Sequence, residues 1–168
     1  MHKFSIYLLI TLGISLMTTN LSASPELPLQ YSLKDVSISI LHQPGQGLPK
    51  GYQVVIAGDG NSFYTYNNGP KQTLSVEKKT VLELVNDFYH SHFFELADTY
   101  TVKKQVLLKS DGSITTMAER LVDIASTRLC IQLADYQKCI TVVNGQPASA
   151  ASLISKIERV INFDVSNP

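Results

Sequence analysis

The sequence predicts an α+β fold, an antiparallel sheet with two helices packed on one face, and three observations carry that prediction. Val36, Ile38 and Ile40 alternate with Ser37, Ser39 and Leu41, the period-2 signature of a strand with one buried face. Spacings of three and four among apolar residues mark two helices, one around Val81 to Phe88 and one around Leu153 to Ile161. The order is strands, helix, strands, helix, without regular strand-helix alternation or a repeat period, and that order suits an antiparallel sheet rather than a parallel one.

The chain of 168 residues opens on Met1-His2-Lys3 and runs into an apolar stretch from Phe4 to Met17, followed by Thr18-Thr19-Asn20-Leu21-Ser22-Ala23-Ser24-Pro25. A short basic start, an apolar run and a small polar junction make an export signal. A spanning helix needs about 20 apolar residues, and this run is shorter, so residues 1–23 are expected to be cleaved after Ala23. An uncleaved anchor is the alternative. A cut after Ser24 is also open, because Leu21 is larger than the small residue usually found three places before the cut. No cysteine lies near the junction to carry a lipid.

Cleavage leaves 145 residues, the size of one domain with one core. Residues 24–33, with Pro25 and Pro28, are expected to lead irregularly into a single domain over 34–165. The whole chain has 14 Lys+Arg and 14 Asp+Glu, and only Lys3 is lost with the signal. The mature chain's net charge near −1 argues against nucleic acid or an anionic membrane as a partner held by charge.

After the first strand, residues 43–51 hold three glycines and two prolines and must be a loop. Tyr52 to Ala57 and Ser62 to Tyr66 read as strands joined through Asp59-Gly60, a hairpin signal. Asn67 to Pro70 is a further turn. From about 76 to 93 the period becomes helical, with Val81, Leu84, Val85, Phe88 and His92 on one stripe and Ser75 expected at the N-cap. Phe93-Phe94-Glu95-Leu96 should dock the helix end onto the sheet. Residues 102–122 read as a hairpin turning at Asp111-Gly112, although Met117 to Ile124 would also pass for a short helix. Asn144-Gly145-Gln146-Pro147 is a turn, and a helix from about 149 to 161 closes the domain with Leu153, Ile157, Val160 and Ile161 as its stripe.

Cys130 and Cys139 are the only cysteines, and exported thiols tend to pair. If Ala134-Asp135 is a two-residue loop, Leu133 faces Tyr136, and counting outward sets Cys130 opposite Cys139 in a non-hydrogen-bonded pair, where side chains come closest. A disulfide between neighbouring strands is therefore expected. Ala-Asp is not a favoured turn pair, so a longer loop that shifts the register is the alternative.

Motifs for chemistry are absent. No G-x-S-x-G, no H-E-x-x-H and no phosphate-binding glycine loop occurs. His90 and His92 lie two apart, about 200° round a helix, so they do not share a metal while the helix continues. His92 is expected at the edge of the buried face and His90 in solvent. Asp59-Gly-Asn61 and Asp111-Gly-Ser113 lack the closing Glu of a calcium loop and read as β-turns. The cysteine spacing excludes a C-x-x-C redox pair. No catalytic residue, metal or cofactor is assigned.

The aromatic cluster Tyr52, Tyr64 and Tyr66 is the candidate binding set. Phe63 should point opposite to Tyr64, with Tyr66 on the side of Tyr64. Helices on one side leave the other side of a sheet open, and tyrosines exposed there would bind a protein, peptide or glycan; tyrosines capping the core edge are the plainer reading.

The order of pieces, with Gly51-Tyr52-Gln-Val-Val-Ile-Ala-Gly-Asp-Gly60 and Phe93-Phe-Glu-Leu-Ala-Asp-Thr-Tyr100, resembles a family of uncharacterised secreted bacterial domains over roughly 34–162. In that family a "Y-x-V-x-I-x-x-D-G" strand and turn precede a helix ending in "F-F-x-L-x-D-x-Y". Members often carry two cysteines in the loop before the tyrosine strand, where this chain has Gly45 and Gly47 to Pro49, and residues 102–122 are longer here than usual. The resemblance implies an α+β fold and an envelope location and brings no activity. The expectation is an exported, periplasmic or secreted, non-enzymatic binding module for an envelope protein, peptide or glycan, without a membrane anchor after cleavage. The alternative is a hydrolase or other envelope enzyme in which His42 or His92 meets a carboxylate and a nucleophile in one cleft.

Overall fold

The computed structural model describes residues 26–45, 51–67, 69–121 and 123–162. The expected export signal and its cleavage point lie outside these residues. So do the tip of the Gly/Pro loop and the last six residues.

Residues 26–32 carry no helix or strand, and a short 3-10 turn at Leu33–Asp35 delivers the chain into the sheet. Six strands form it: β1 (Val36–Gln43), β2 (Tyr52–Ala57), β3 (Phe63–Tyr66), β4 (Gln72–Thr73), then, after a helix and a separate hairpin, β7 (Ser126–Leu133) and β8 (Tyr136–Val143). Their spatial order is β4-β3-β2-β1-β7-β8, with every neighbouring pair antiparallel. Two helices, α1 (Lys78–His90) and α2 (Ala148–Val160), complete the body. The α+β class and the antiparallel sheet stand as the sequence predicts.

One side of the sheet makes the core. Val36, Ile38 and Ile40 of β1 meet Val54 and Ile56 of β2 and Leu129, Ile131 and Leu133 of β7, all at most 2% exposed. Val81, Leu84, Val85 and Phe88 of α1 and Ala150, Leu153, Ile154 and Ile157 of α2 close over them in the same cluster. Both helices therefore cover one face. The stripe of α2 sits one turn earlier than expected, and Val160 is 39% exposed. Lys156 pairs with Asp87 at 2.5 Å, tying α2 to α1.

The ends of α1 differ from the expected ones. Glu77, not Ser75, holds the N-cap position, and no side chain caps it. At the other end His92 adopts φ +53°, a left-handed conformation that stops the helix. That turn swings His92 out to 74% side-chain exposure beside Glu95, away from the buried face on which the helical period would have placed it. Phe93, fully buried, then packs edge-on against Phe88 at 4.7 Å, while Phe94 lies between Tyr89 and Tyr136. The Phe-Phe pair thus docks the helix end as expected.

Between β2 and β3 the Asp59 carboxylate accepts the backbone N–H of Asn61, and the Ser62 hydroxyl accepts that of Ala57. The chain passes Leu33 so closely there that a Cβ on Gly58 would stand 1.9 Å from the Leu33 carbonyl oxygen. The β7–β8 hairpin has the two-residue loop Ala134-Asp135, Leu133 faces Tyr136, and Cys130 faces Cys139. These cysteines form a disulfide with their Cα atoms 4.1 Å apart. The free edge of β8 is covered in part by Asp98 and Thr99: Thr141 donates its N–H to the Asp98 carbonyl, and Lys138 pairs with the Asp98 carboxylate at 2.6 Å. Covering an edge in this way blocks stray strand pairing.

Residues 102–120 pair with no strand of the six-stranded sheet. β5 (Val102–Leu108) and β6 (Ile114–Arg120) pair only with each other, as a two-stranded arm of seven facing pairs. The hairpin reading holds over the short helix from Met117.

Candidate binding surfaces

The pleat sorts the aromatic residues into two rows. Tyr66 faces Tyr52, Tyr52 faces His42, His42 faces Thr127 and Thr127 faces Val142, so one row crosses five strands on the helix-bearing side. Phe63, Val55, Ser39, Cys130 and Cys139 form the matching row on the side that neither described helix covers. Tyr52, Tyr64 and Tyr66 are thus brought together, but beneath and beside the helices rather than on the open side. The reason is parity: Tyr64 faces Val54 and Tyr66 faces Tyr52, and both partners belong to the core.

Tyr52 is 5% exposed, and its hydroxyl donates to the Glu158 carboxylate of α2. Burial, and then that hydrogen bond, push the phenol far above its ordinary pKa, so it stays a donor at any physiological pH. His42 stacks on the Tyr52 ring at 5.0 Å and 16°, and its Nδ1 lies 2.9 Å from the Thr127 hydroxyl. Burial lowers the His42 pKa, against a smaller opposing pull from Glu158, so the imidazole is held neutral. Tyr64 donates to the Gln72 side chain of β4 and meets Tyr66 edge-on at 5.7 Å. Both rings are half-buried.

A neutral histidine beside a hydroxyl has the geometry of a base and a nucleophile. His42 and Thr127 both sit within ladders, where backbone N–H groups are engaged by the neighbouring strands rather than aimed at a developing oxyanion. Shape and hydrogen bonding make this row a polar seam that fastens α2 to the sheet end.

The arm presents the opposite picture. Its strand residues are all exposed except Thr115, which is half-buried. Val102, Val106, Leu108 and Ile114 share one face, and they are 52%, 69%, 75% and 71% exposed. Leu107 and Met117 lie on the other. Exposed apolar clusters of this kind mark contact sites. The sequence shows the run Val106-Leu107-Leu108, but a local run carries no sign of whether a body covers it. The signal that was legible is charge: Lys103 and Lys104 lie in the strand and Lys109 follows it, as edges facing water are punctuated.

Asp111 at the arm's turn accepts the N–H and hydroxyl of Ser113, and so uses its carboxylate to close the β-turn. Among the described residues no helix is long and apolar enough to cross a membrane, and no three His, Cys, Asp or Glu side chains cluster as a metal would need. No protein-family model, no curated protein and no solved structure matches the chain.

Proposed function

We propose that this chain is an exported, periplasmic or secreted, non-enzymatic interaction module whose contact element is the β5–β6 arm and whose partner is a protein. The observation that carries the reading is a seven-pair hairpin standing off the body with four large apolar side chains, each more than half exposed, on one face. A two-stranded hairpin is marginal in water by itself. A chain that keeps such an arm gains its stabilisation from what the arm touches. The amino-terminal signal and the Cys130–Cys139 pair support export, and the resemblance to secreted domains, in which 102–122 is longer here than usual, supports the arm as this chain's own addition.

The test exploits the arm's neck. Leu121 donates its N–H to the Thr101 carbonyl at 2.8 Å, so residues 102–120 can be replaced by an Asn-Gly turn without stretching the body. Crosslinking from the host envelope with the intact protein, the arm-less variant and a Tyr64→Ser/Tyr66→Ser variant separates the two surfaces. Partner loss confined to the arm-less variant supports the reading; loss confined to the tyrosine variant moves the contact to the margin of β3, and equal capture by all three removes both. The enzyme reading has one observation in its favour, the contact of His42 with the Thr127 hydroxyl, and turnover abolished by Thr127→Val would restore it.

A further inference from the structure

We infer that the arm is a homodimerisation element, in which the outer edge of β6 pairs antiparallel with β6 of a second copy. The inference rests on the reading of the arm as the contact element, and it commits that element to one partner.

The hydrogen-bond parity of the arm settles which backbone groups are outward. Lys109 donates its N–H to the Ser113 carbonyl at the tip, and Leu121 donates to the Thr101 carbonyl at the neck, both at 2.8 Å. In an antiparallel ladder bonded and non-bonded pairs alternate, and with seven pairs between these two points the count is consistent from either end. Pairs 103/119, 105/117 and 107/115 therefore exchange the bonds within the arm. Ile114, Thr116, Ala118 and Arg120 direct their N–H and C=O groups away from β5, into solvent.

The two edges of the arm are guarded unequally. On β5 the outward positions include Lys104, flanked by Lys103, and a lysine on an edge discourages strand addition. On β6 five successive residues, Ile114 to Ala118, carry no charge, no proline and no glycine. An open edge of that composition is a template for another strand.

Charge identifies the strand that fits. With Thr116 facing Thr116 of the second copy, Ile114 faces Ala118 and Thr115 faces Met117, all uncharged, and the outward N–H and C=O groups meet in bonded pairs. The same two-fold register brings Arg120 at the neck of one copy beside Asp111 at the turn of the other. Glu119 comes opposite Ser113, whose neighbour across the second hairpin is Lys109. Each acidic side chain gains a basic one nearby, the like-charged approach is confined to the diagonal pair Glu119 and Asp111, and the five central facing pairs are uncharged, so the β6 edge accepts a copy of itself. The product is a four-stranded sheet, β5-β6-β6-β5, in place of two marginal hairpins.

The test is sedimentation and light scattering of the disulfide-intact exported protein over about a hundredfold range of micromolar concentration. The expected result is a monomer–dimer equilibrium. Thr116→Pro removes an N–H that points outward and leaves the β5–β6 ladder intact, a position where an edge strand accepts proline. It deletes two intermolecular bonds per dimer and should weaken dimerisation roughly thirtyfold, with an unchanged melting temperature for the body. Thr116→Cys should crosslink to its counterpart under mild oxidation, whereas Ser110→Cys at the tip should not. A wild-type protein that stays monomeric throughout, or a Thr116→Pro protein that dimerises like wild type, overturns the inference. If a monomeric wild type still captures a different protein through its arm, the interaction-module reading survives while the dimer is lost.

Discussion

The phenol of Tyr52 on β2 and the carboxylate of Glu158 on α2 are joined by a hydrogen bond across 106 residues of chain. That bond fastens the last helix to the end of the sheet where the apolar core gives out and His42, Tyr52 and Thr127 begin. The interior of the sheet needs no such tie, because Ile38, Ile56 and Leu129 are held by apolar burial. Polar residues at the sheet end must find partners or lose the stabilisation of burial.

Tyr52→Phe should lower the unfolding free energy by about 1–2 kcal/mol, since it leaves a half-buried carboxylate without its donor. Glu158→Gln keeps an acceptor and should cost less than half as much. Urea denaturation of the three proteins checks both. Equal stability of wild type and Tyr52→Phe would mean that water replaces the hydroxyl without loss.

His42 makes stability depend on pH in a defined direction. Its folded pKa lies below the unfolded value of 6.5 because burial disfavours the imidazolium. The unfolded chain therefore binds the proton first, and the contribution of His42 is complete above pH 6.5 and drains away as pH falls toward the folded value. Melting temperature should fall from pH 7.5 to pH 5 more steeply in wild type than in His42→Gln. Parallel curves would remove His42 from the account.

Local pattern made every strand but the two-residue β4, both helices and the β7–β8 register legible. The period gave Val81, Leu84, Val85 and Phe88, and a two-residue loop at Ala134-Asp135 is enough to count Cys130 onto Cys139. Parity was legible too: Phe63 does oppose Tyr64. The sign of that parity was not, because alternation says that two sets of side chains separate without saying which set the helices cover. Tyr52, Tyr64 and Tyr66 went to the helix side through their pairing with core residues, a long-range fact. The seam of His42, Thr127 and Glu158 was hidden for the same reason, since its members lie 31 to 116 positions apart in the sequence. The arm escaped because its apolar residues look like those of a buried strand, and only the fold shows that no described element covers them.

The Cys130–Cys139 bond closes a short loop on the open side of the sheet, with Cys139 half-exposed. By loop entropy it should contribute about 2.5 kcal/mol. Because the hairpin already holds its register through eight facing pairs, the Cys130→Ser/Cys139→Ser protein should fold to the same structure with a lower urea midpoint. Intact mass with and without reductant and alkylation verifies the bond itself. Two freely alkylated thiols in unreduced protein would count against it.

Ala134 opens the loop of that hairpin at φ +52°, where the Cβ of an L residue crowds its own backbone. Its N–H is engaged by the Asp35 carbonyl at 3.1 Å, so the loop is held against the start of β1 and has no easy route out of the strained conformation. Glycine removes the Cβ at the cost of a more flexible unfolded chain, and these effects oppose each other. At a positive φ relief of strain is the larger, so Ala134→Gly should stabilise the protein by up to about 1 kcal/mol. Ala134→Val, which adds a branch where Ala is already strained, should destabilise it by more than that. The ordering Gly above Ala above Val in thermal midpoint is the result that the turn geometry requires, and a glycine variant less stable than wild type would mean that the alanine conformation carries no strain.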